Sequence, residues 1–262
     1  MTNKAKWLIV AIIAVLSWFV FCSFSQAKSQ PKIKIEGATR ENPMVYLGKK
    51  YDKQSKKEVE GYAIVHYAKD SSKPASAKAT TCYTFISKGA KWRSIEPWVV
   101  NTTNVSGLTE EFVLSNLQQD IIKFEEAAGV DILGEGSTTN NFLEADQTST
   151  DGLNEVMFGS IDHQGAIAVT IVWGIFGGNP NTREIVEWDM IFDEVDFRWG
   201  IGEADKMDFE NIATHELGHA MGLGDLYTEG CNQETMYGYA TEGEITKRTL
   251  NAGDILGIQK LY

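Results

Sequence analysis

The sequence predicts an α+β fold in which a sheet packs against helices, and three observations predict it. Apolar residues recur at helical spacing around 109–129 and 208–221. Three strand-like runs, 155–158, 166–173 and 184–192, lie between them and are rich in β-branched and aromatic residues. A third helical pattern, about 252–261, closes the chain. The order is strand, helix, several strands, helix, loop, helix, without strict alternation.

The elements follow in chain order. Residues 28–50 are basic and polar and read as a stalk or loose arm. Gly61 to Tyr67 (GYAIVHY) reads as a strand. Residues 71–81, rich in Ser, Ala and Lys with Pro74, read as a linker. This divides an N-terminal extension, 28–80, from a main domain, 81–262. Trp98 to Val100 opens the second part as a strand. Thr109 is the expected N-cap of the first helix, with Glu110 and Glu111 favouring its dipole. Val113, Leu117, Ile121, Phe124 and Ala128 share one face, and Gly129 can end the helix. The stretch from Gly129 to Gly152 is polar and irregular. The second helix begins near Asp205 or Asp208, with Phe209, Ile212, Ala213, Leu217, Ala220 and Met221 on one face.

Composition narrows the function classes. The chain is 43% hydrophobic and 23% charged, an ordinary globular balance, and its net charge of -12 argues against nucleic-acid binding. Lys4 and Lys6 precede an apolar run from Trp7 to Phe24, and Ser25-Gln26-Ala27 follows with small residues. Residues 1–27 are therefore a cleaved signal peptide or a retained single anchor. Either places the body outside the cytoplasm, secreted or tethered to the outer face of the membrane. There, Cys82 and Cys231 are read as a disulfide, with two buried thiols as the alternative. Asn101-Thr102-Thr103 and Asn104-Val105-Ser106 are glycosylation acceptor sequences, meaningful in the same compartment.

The chemistry concentrates in the second helix, at His215-Glu216-Leu217-Gly218-His219. Two His at i and i+4 project from one face and can share a zinc ion. Glu216, next to the first ligand, can serve as general base for the attacking water. Gly222 can take the left-handed conformation that turns the chain back. Asp225 can then supply a third ligand and leave a fourth position open.

The string from His215 to Asp225 resembles the extended zinc motif of metzincins, with Asp in place of the usual final His. Glu234 to Tyr239 resembles the Met-turn, with Met236 as the floor of the site. Leu250 to Tyr262 resembles the C-terminal helix of matrixins, and Trp188 to Asp193 resembles the matrixin edge strand that lines the cleft. The resemblance covers about 92–262, and residues 60–90 are similar to secreted archaeal and bacterial matrixin-like proteins. It implies a mixed, mostly parallel five-stranded sheet with helices, a small C-terminal subdomain and a cleft between them. It implies one catalytic Zn2+, and an extended protein or peptide substrate lying along an edge strand. Asp254 matches the residue that supports the Met-turn backbone. The Pro-Arg-Cys-Gly switch sequence of matrixins is absent, so thiol latency is not expected. Val169 and Thr170 stand where the structural-zinc His would be, so a second zinc is not expected.

Other readings stay open at this stage. Asp193, Glu194 and Asp196 offer either a calcium site or a solvated loop. Tyr239 offers an oxyanion or substrate contact, or packing. His66 and His163, each alone in sequence, read as surface or hydrogen-bonded histidines, with a metal role as the alternative. A gluzincin-like site would draw its third ligand from Glu234, Glu242 or Glu244. A non-catalytic surface binding module would keep the fold without turnover; the intact Glu216 argues against it. A propeptide role for 28–80 is a further variant, and a monomer is expected.

Overall fold

The computed structural model describes residues 30–69 and 81–262. The leader and most of the linker lie outside the described residues. The N-terminal part contributes β1 (Lys32–Ile33), β2 (Met44–Asp52) and β3 (Lys57–Ala68). Then come β4 (Trp98–Val100), α1 (Glu110–Ala128), β5 (Gly136–Thr138), β6 (Glu155–Ile161), β7 (Ala166–Ile175) and β8 (Glu184–Asp193). The chain finishes with β9 (Trp199–Gly200), β10 (Met207–Asp208), α2 (Phe209–Ala220), β11 (Tyr239–Ala240) and α3 (Ala252–Leu261).

The helices form where their signals lie. Thr109 caps α1 by accepting from the Phe112 N–H, and Gly129 ends it at φ 74°. Asp208 caps α2 through the Asn211 N–H, and Asn251 and Asp254 form a capping box on α3. Within the stretch read as irregular, β5 pairs with β4. Three residues are too few to show periodicity, and neighbouring backbone supplies what the local sequence does not.

The sheet is mixed. Its five strands from 98–193 run in the order β5-β4-β6-β8-β7, parallel except for β7. The sheet then continues beyond those five: β3 pairs antiparallel with β7, β2 with β3, β1 with β6, and β11 parallel with β3. The expectation of a loose arm over 28–50 is thereby corrected. Val45 and Leu47 of β2 pack on a core, and Ile33 and Ile35 are buried. The polar residues that suggested a stalk are the outward half of paired strands. The sheet runs across the boundary placed between 28–80 and 81–262.

A second correction concerns the edge strand. Trp188 to Asp193 lie in β8, which is paired on both sides, by β6 and β7. Its continuous apolar sequence is that of an interior strand buried on both faces.

Alternate residues of the strands enter two cores. Val156, Phe158, Trp188, Met190 and Phe192 face α1 and α2 in the larger one. Val65, Met157, Val169, Trp173 and Ile191 meet Ile33, Ile35 and Leu143 on the opposite face. Cys82 and Cys231 form a disulfide that ties the chain before β4 to the segment after α2. Among the described residues no helix is long and apolar enough to cross a membrane.

Candidate metal centre

Helix α2 sets His215 and His219 one turn apart, and their Nε2 atoms are 3.1 Å from each other. Each ring is oriented from behind. His215 Nδ1 bonds the Thr235 carbonyl at 2.7 Å, and His219 Nδ1 bonds the Leu223 carbonyl at 2.9 Å. A carbonyl can only accept, so each Nδ1 carries a proton, and Nε2 is the nitrogen of each ring left to act as a ligand. The chain leaves α2 through Gly222, at φ 101°. A Cβ there would lie 2.8 Å from the Ala90 carbonyl oxygen, so both conformation and space call for glycine. The turn returns Asp225, whose Oδ1 lies 3.1 Å from His215 Nε2 and 3.4 Å from His219 Nε2.

These three atoms fit a zinc ion. A tetrahedral ion with bonds near 2.0–2.1 Å holds its ligands roughly 3.3 Å apart, close to the observed spacing. Asp225 Oδ1 is buried and has no hydrogen-bond donor, an arrangement that a cation relieves. The histidines and the carboxylate are coupled electrostatically. Burial works against the Asp225 charge, yet the two imidazoles hold its carboxyl well below the usual range. Against the same burial, Asp225 lifts His219 to about 9, while burial and His66 press His215 to about 4. Tyr227, which the sequence reading passed over, donates to Asp225 Oδ2 at 2.7 Å and fixes the carboxylate. The Asp-x-Tyr spacing was its only signal.

Below the site, Met236 packs so closely on Gly218 that a Cβ at Gly218 would lie 2.2 Å from its Sδ. Asp254 holds that turn, accepting from the N–H groups of Thr235 at 2.7 Å, Met236 at 3.1 Å and Asn251 at 2.9 Å. The three glutamates of the gluzincin-like reading are engaged or directed elsewhere. Glu234 accepts from the Gly253 N–H at the start of α3, Glu244 pairs with Lys247, and Glu242 is exposed.

Glu216 is fully buried beside the candidate metal ligands. Its Oε2 accepts from Thr170 Oγ1 at 2.6 Å, and its Oε1 lies 2.9 Å from His66 Nδ1. Burial raises its carboxyl above the usual range despite the neighbouring histidines. Thr170 and His66 belong to β7 and β3, far away in sequence. His66 is fully buried rather than at the surface, and is hydrogen-bonded, the other of its two expectations; its ring centroid lies 3.9 Å from that of His215. His163 does accept a hydrogen bond, from the Ile35 N–H at 3.0 Å.

Two other expectations meet the geometry differently. The Tyr239 hydroxyl reaches the Arg40 carbonyl at 3.5 Å rather than the histidines. Asp193 and Glu194 are buried, not solvated: Asp193 accepts from the N–H groups of Ile161, Val195 and Asp196, and Glu194 from Val105. Their carboxylates cap loop backbone. Among the described residues, the acidic group close enough to share a cation is instead Asp146, Glu187 and Asp189.

The matrixin peptidase family matches residues 134–262. Human matrilysin is 40% identical over 74 residues, which are 28% of this chain and 26% of matrilysin; the match thus spans about a quarter of that relative. A solved structure, metalloproteinase-II from Bacteroides fragilis, aligns over 74% of this chain and 56% of its own at 12% identity, with a TM-score of 0.34. That structural likeness is too low to carry weight. The family match covers β6, β7, β8, α2, the Met236 turn and α3, so residues 134–262, just under half of the chain, resemble the matrixin peptidase family.

Proposed function

We propose that the protein is a zinc-dependent endopeptidase acting on extracellular proteins. The observation that carries this reading is the convergence of His215 Nε2, His219 Nε2 and Asp225 Oδ1 within 3.1–3.4 Å, with Glu216 beside them. His215, His219 and Asp225 would hold the ion. When bound, zinc would acidify the attacking water and polarise the scissile carbonyl.

The chain's own residues do the rest. Glu216 takes the proton of the attacking water and returns it to the leaving amine. Its raised proton affinity suits a group that must hold that proton between the two steps. The Thr170 hydroxyl, donating to Oε2, fixes the rotamer so that Oε1 serves as the base. Thr235 and Leu223 keep both imidazoles in the ligating tautomer. An extended substrate would lie along β7 beside Thr170, on the side where β3 pairs with it.

The test is zinc content together with cleavage of an unstructured protein. One zinc per chain, lost in His219→Ala and retained in Glu216→Ala, with chelator-sensitive cleavage abolished by Glu216→Ala, supports the reading. A chain that binds no zinc refutes it. A chain that holds zinc while Glu216→Ala leaves turnover untouched refutes the role of the base.

A further inference from the structure

The turn that carries Asp225 is held from two sides. Before Asp225, the Gly224 N–H donates to the Thr84 carbonyl at 3.0 Å. After it, the Leu226 N–H donates to the Met236 carbonyl at 2.8 Å, and the Leu226 carbonyl accepts from the Gly238 N–H at 2.9 Å. The Met236 side is braced by Asp254. The Thr84 side rests on residues 82–86, a segment outside every helix and strand named above.

That segment runs antiparallel to the turn, with Phe85 opposite Leu223. The Ile86 N–H donates to the Gly222 carbonyl at 3.0 Å. The approach is close: a Cβ at Gly224 would lie 3.1 Å from the Phe85 carbonyl carbon and from the Thr84 methyl group. Leu223 is caught between the two bonds, and its carbonyl is the one that orients His219. Through one turn, therefore, residues 84–86 bear on both His219 and Asp225. A two-stranded ladder this short is marginal by itself and needs something else to hold it.

The disulfide supplies that hold. Phe85 and Leu223 stand only a few residues from Cys82 and Cys231, so the joined cysteines close a small ring around the ladder. Cys231 also lies on the path to the second histidine. Its carbonyl accepts from the Glu234 N–H at 3.1 Å, next to Thr235, whose carbonyl orients His215. We propose that Cys82 and Cys231 are positioning residues for the candidate zinc ligands: their disulfide seats residues 84–86 on the turn 222–224, and that ladder fixes the Leu223 carbonyl and Asp225. The proposal rests on the zinc-peptidase reading for the identity of the ion, while the ladder and the disulfide stand without it.

The competing account is a bridge that acts only by constraining the unfolded chain, which its sequence separation of 149 residues favours. Such a bridge would leave the zinc affinity of the folded chain unchanged. The experiment compares the full chain with two variants. The pair Cys82→Ala with Cys231→Ala removes the disulfide. Ile86→Pro removes the N–H that bonds the Gly222 carbonyl and leaves the cysteines joined. The readouts are zinc affinity by competition with a chromophoric chelator, amide exchange at Gly224 in the metal-free protein, and urea unfolding to show that each variant is folded. Both variants are expected to bind zinc roughly 10–100-fold more weakly, as when other outer partners of metal-bound histidines are lost. Gly224 should exchange faster in both, because its bond to Thr84 opens more often.

Lower urea stability in the alanine pair, with zinc affinity and Gly224 exchange as in the parent, overturns the proposal and leaves the peptidase reading intact. Weaker zinc binding with unchanged Gly224 exchange overturns it too, because the effect then does not pass through the ladder. A parent chain that binds no zinc overturns the peptidase reading; faster Gly224 exchange in the alanine pair would still support the fastened turn, and unchanged exchange would overturn that as well. If the alanine pair fails to fold, Ile86→Pro carries the same comparison with the disulfide intact.

Discussion

Replacing Asp254 by Asn tests how the C-terminal helix supports the candidate metal ligands. The carboxylate is 1% exposed. Its Oδ2 accepts from Thr235 and Asn251, and its Oδ1 from Met236. An amide has one acceptor oxygen, so either orientation sets an NH2 group against a backbone N–H. One or two charge-assisted bonds are lost and a buried donor is left unpaired, which should cost about 2–4 kcal/mol. The effect does not stop there. Thr235, whose N–H bonds Asp254, turns its carbonyl to His215 Nδ1 at 2.7 Å. Loosening Thr235 frees the His215 ring, and zinc affinity should fall roughly 10–100-fold, as for other outer partners of metal-bound histidines. Urea unfolding of the metal-free protein measures the first effect, and competition with a chromophoric chelator the second. Asp205→Asn, at an exposed position, is the control and should change stability by less than about 0.5 kcal/mol. A cost below about 1 kcal/mol for Asp254→Asn, or unchanged zinc affinity, would refute this chain of support.

Other perturbations separate the remaining claims. Asp225→Ala should abolish stoichiometric zinc while Glu234→Ala retains it; the reverse pattern in metal analysis would favour a glutamate ligand. Gly222→Ala should lower stability by roughly 1–3 kcal/mol, since an alanine at φ 101° is strained and its Cβ meets the Ala90 carbonyl, and a thermal melt shows it. The acidic cluster predicts a pH dependence. Burial raises Glu187 to about 8, Glu155 to about 7 and Asp146 to about 6, against unfolded values of 4.5, 4.5 and 3.8. The folded state thus holds more protons than the unfolded state across this window, so stability is full below about pH 4 and falls as pH rises towards 8. Glu187→Gln keeps an acceptor for the N–H groups of Asp151 and Gly152 and should flatten that fall by on the order of a few kcal/mol in chelated buffer. Parallel urea stability profiles between pH 5 and 8 would count against it.

What could be read from the sequence was local. Thr109 and Gly129 bound α1 because capping acts within one turn. The spacing from His215 through Gly222 to Asp225 foretold the turn, since one helix face and one left-handed glycine fix that path. The Cys82–Cys231 pairing was legible because only two cysteines remain outside the leader.

The misreadings share a physical cause, which is pairing between distant strands. An apolar run such as 184–193 has the same composition at an edge or in the interior, and only its partners β6 and β7 decide. The polar arm became β2 because β3 offered it a ladder, and β3 could do so because β7 was there to hold β3. That same step brought His66 to Glu216 across 150 residues of chain. A lone histidine at the end of a strand carries no local sign of such a neighbour, whereas a thiol switch has a motif of its own. The contact is encoded in register: shifting β3 by one residue would turn His66 into the far core and Val65 towards Glu216. The site would then lose its contact without any change in the zinc motif.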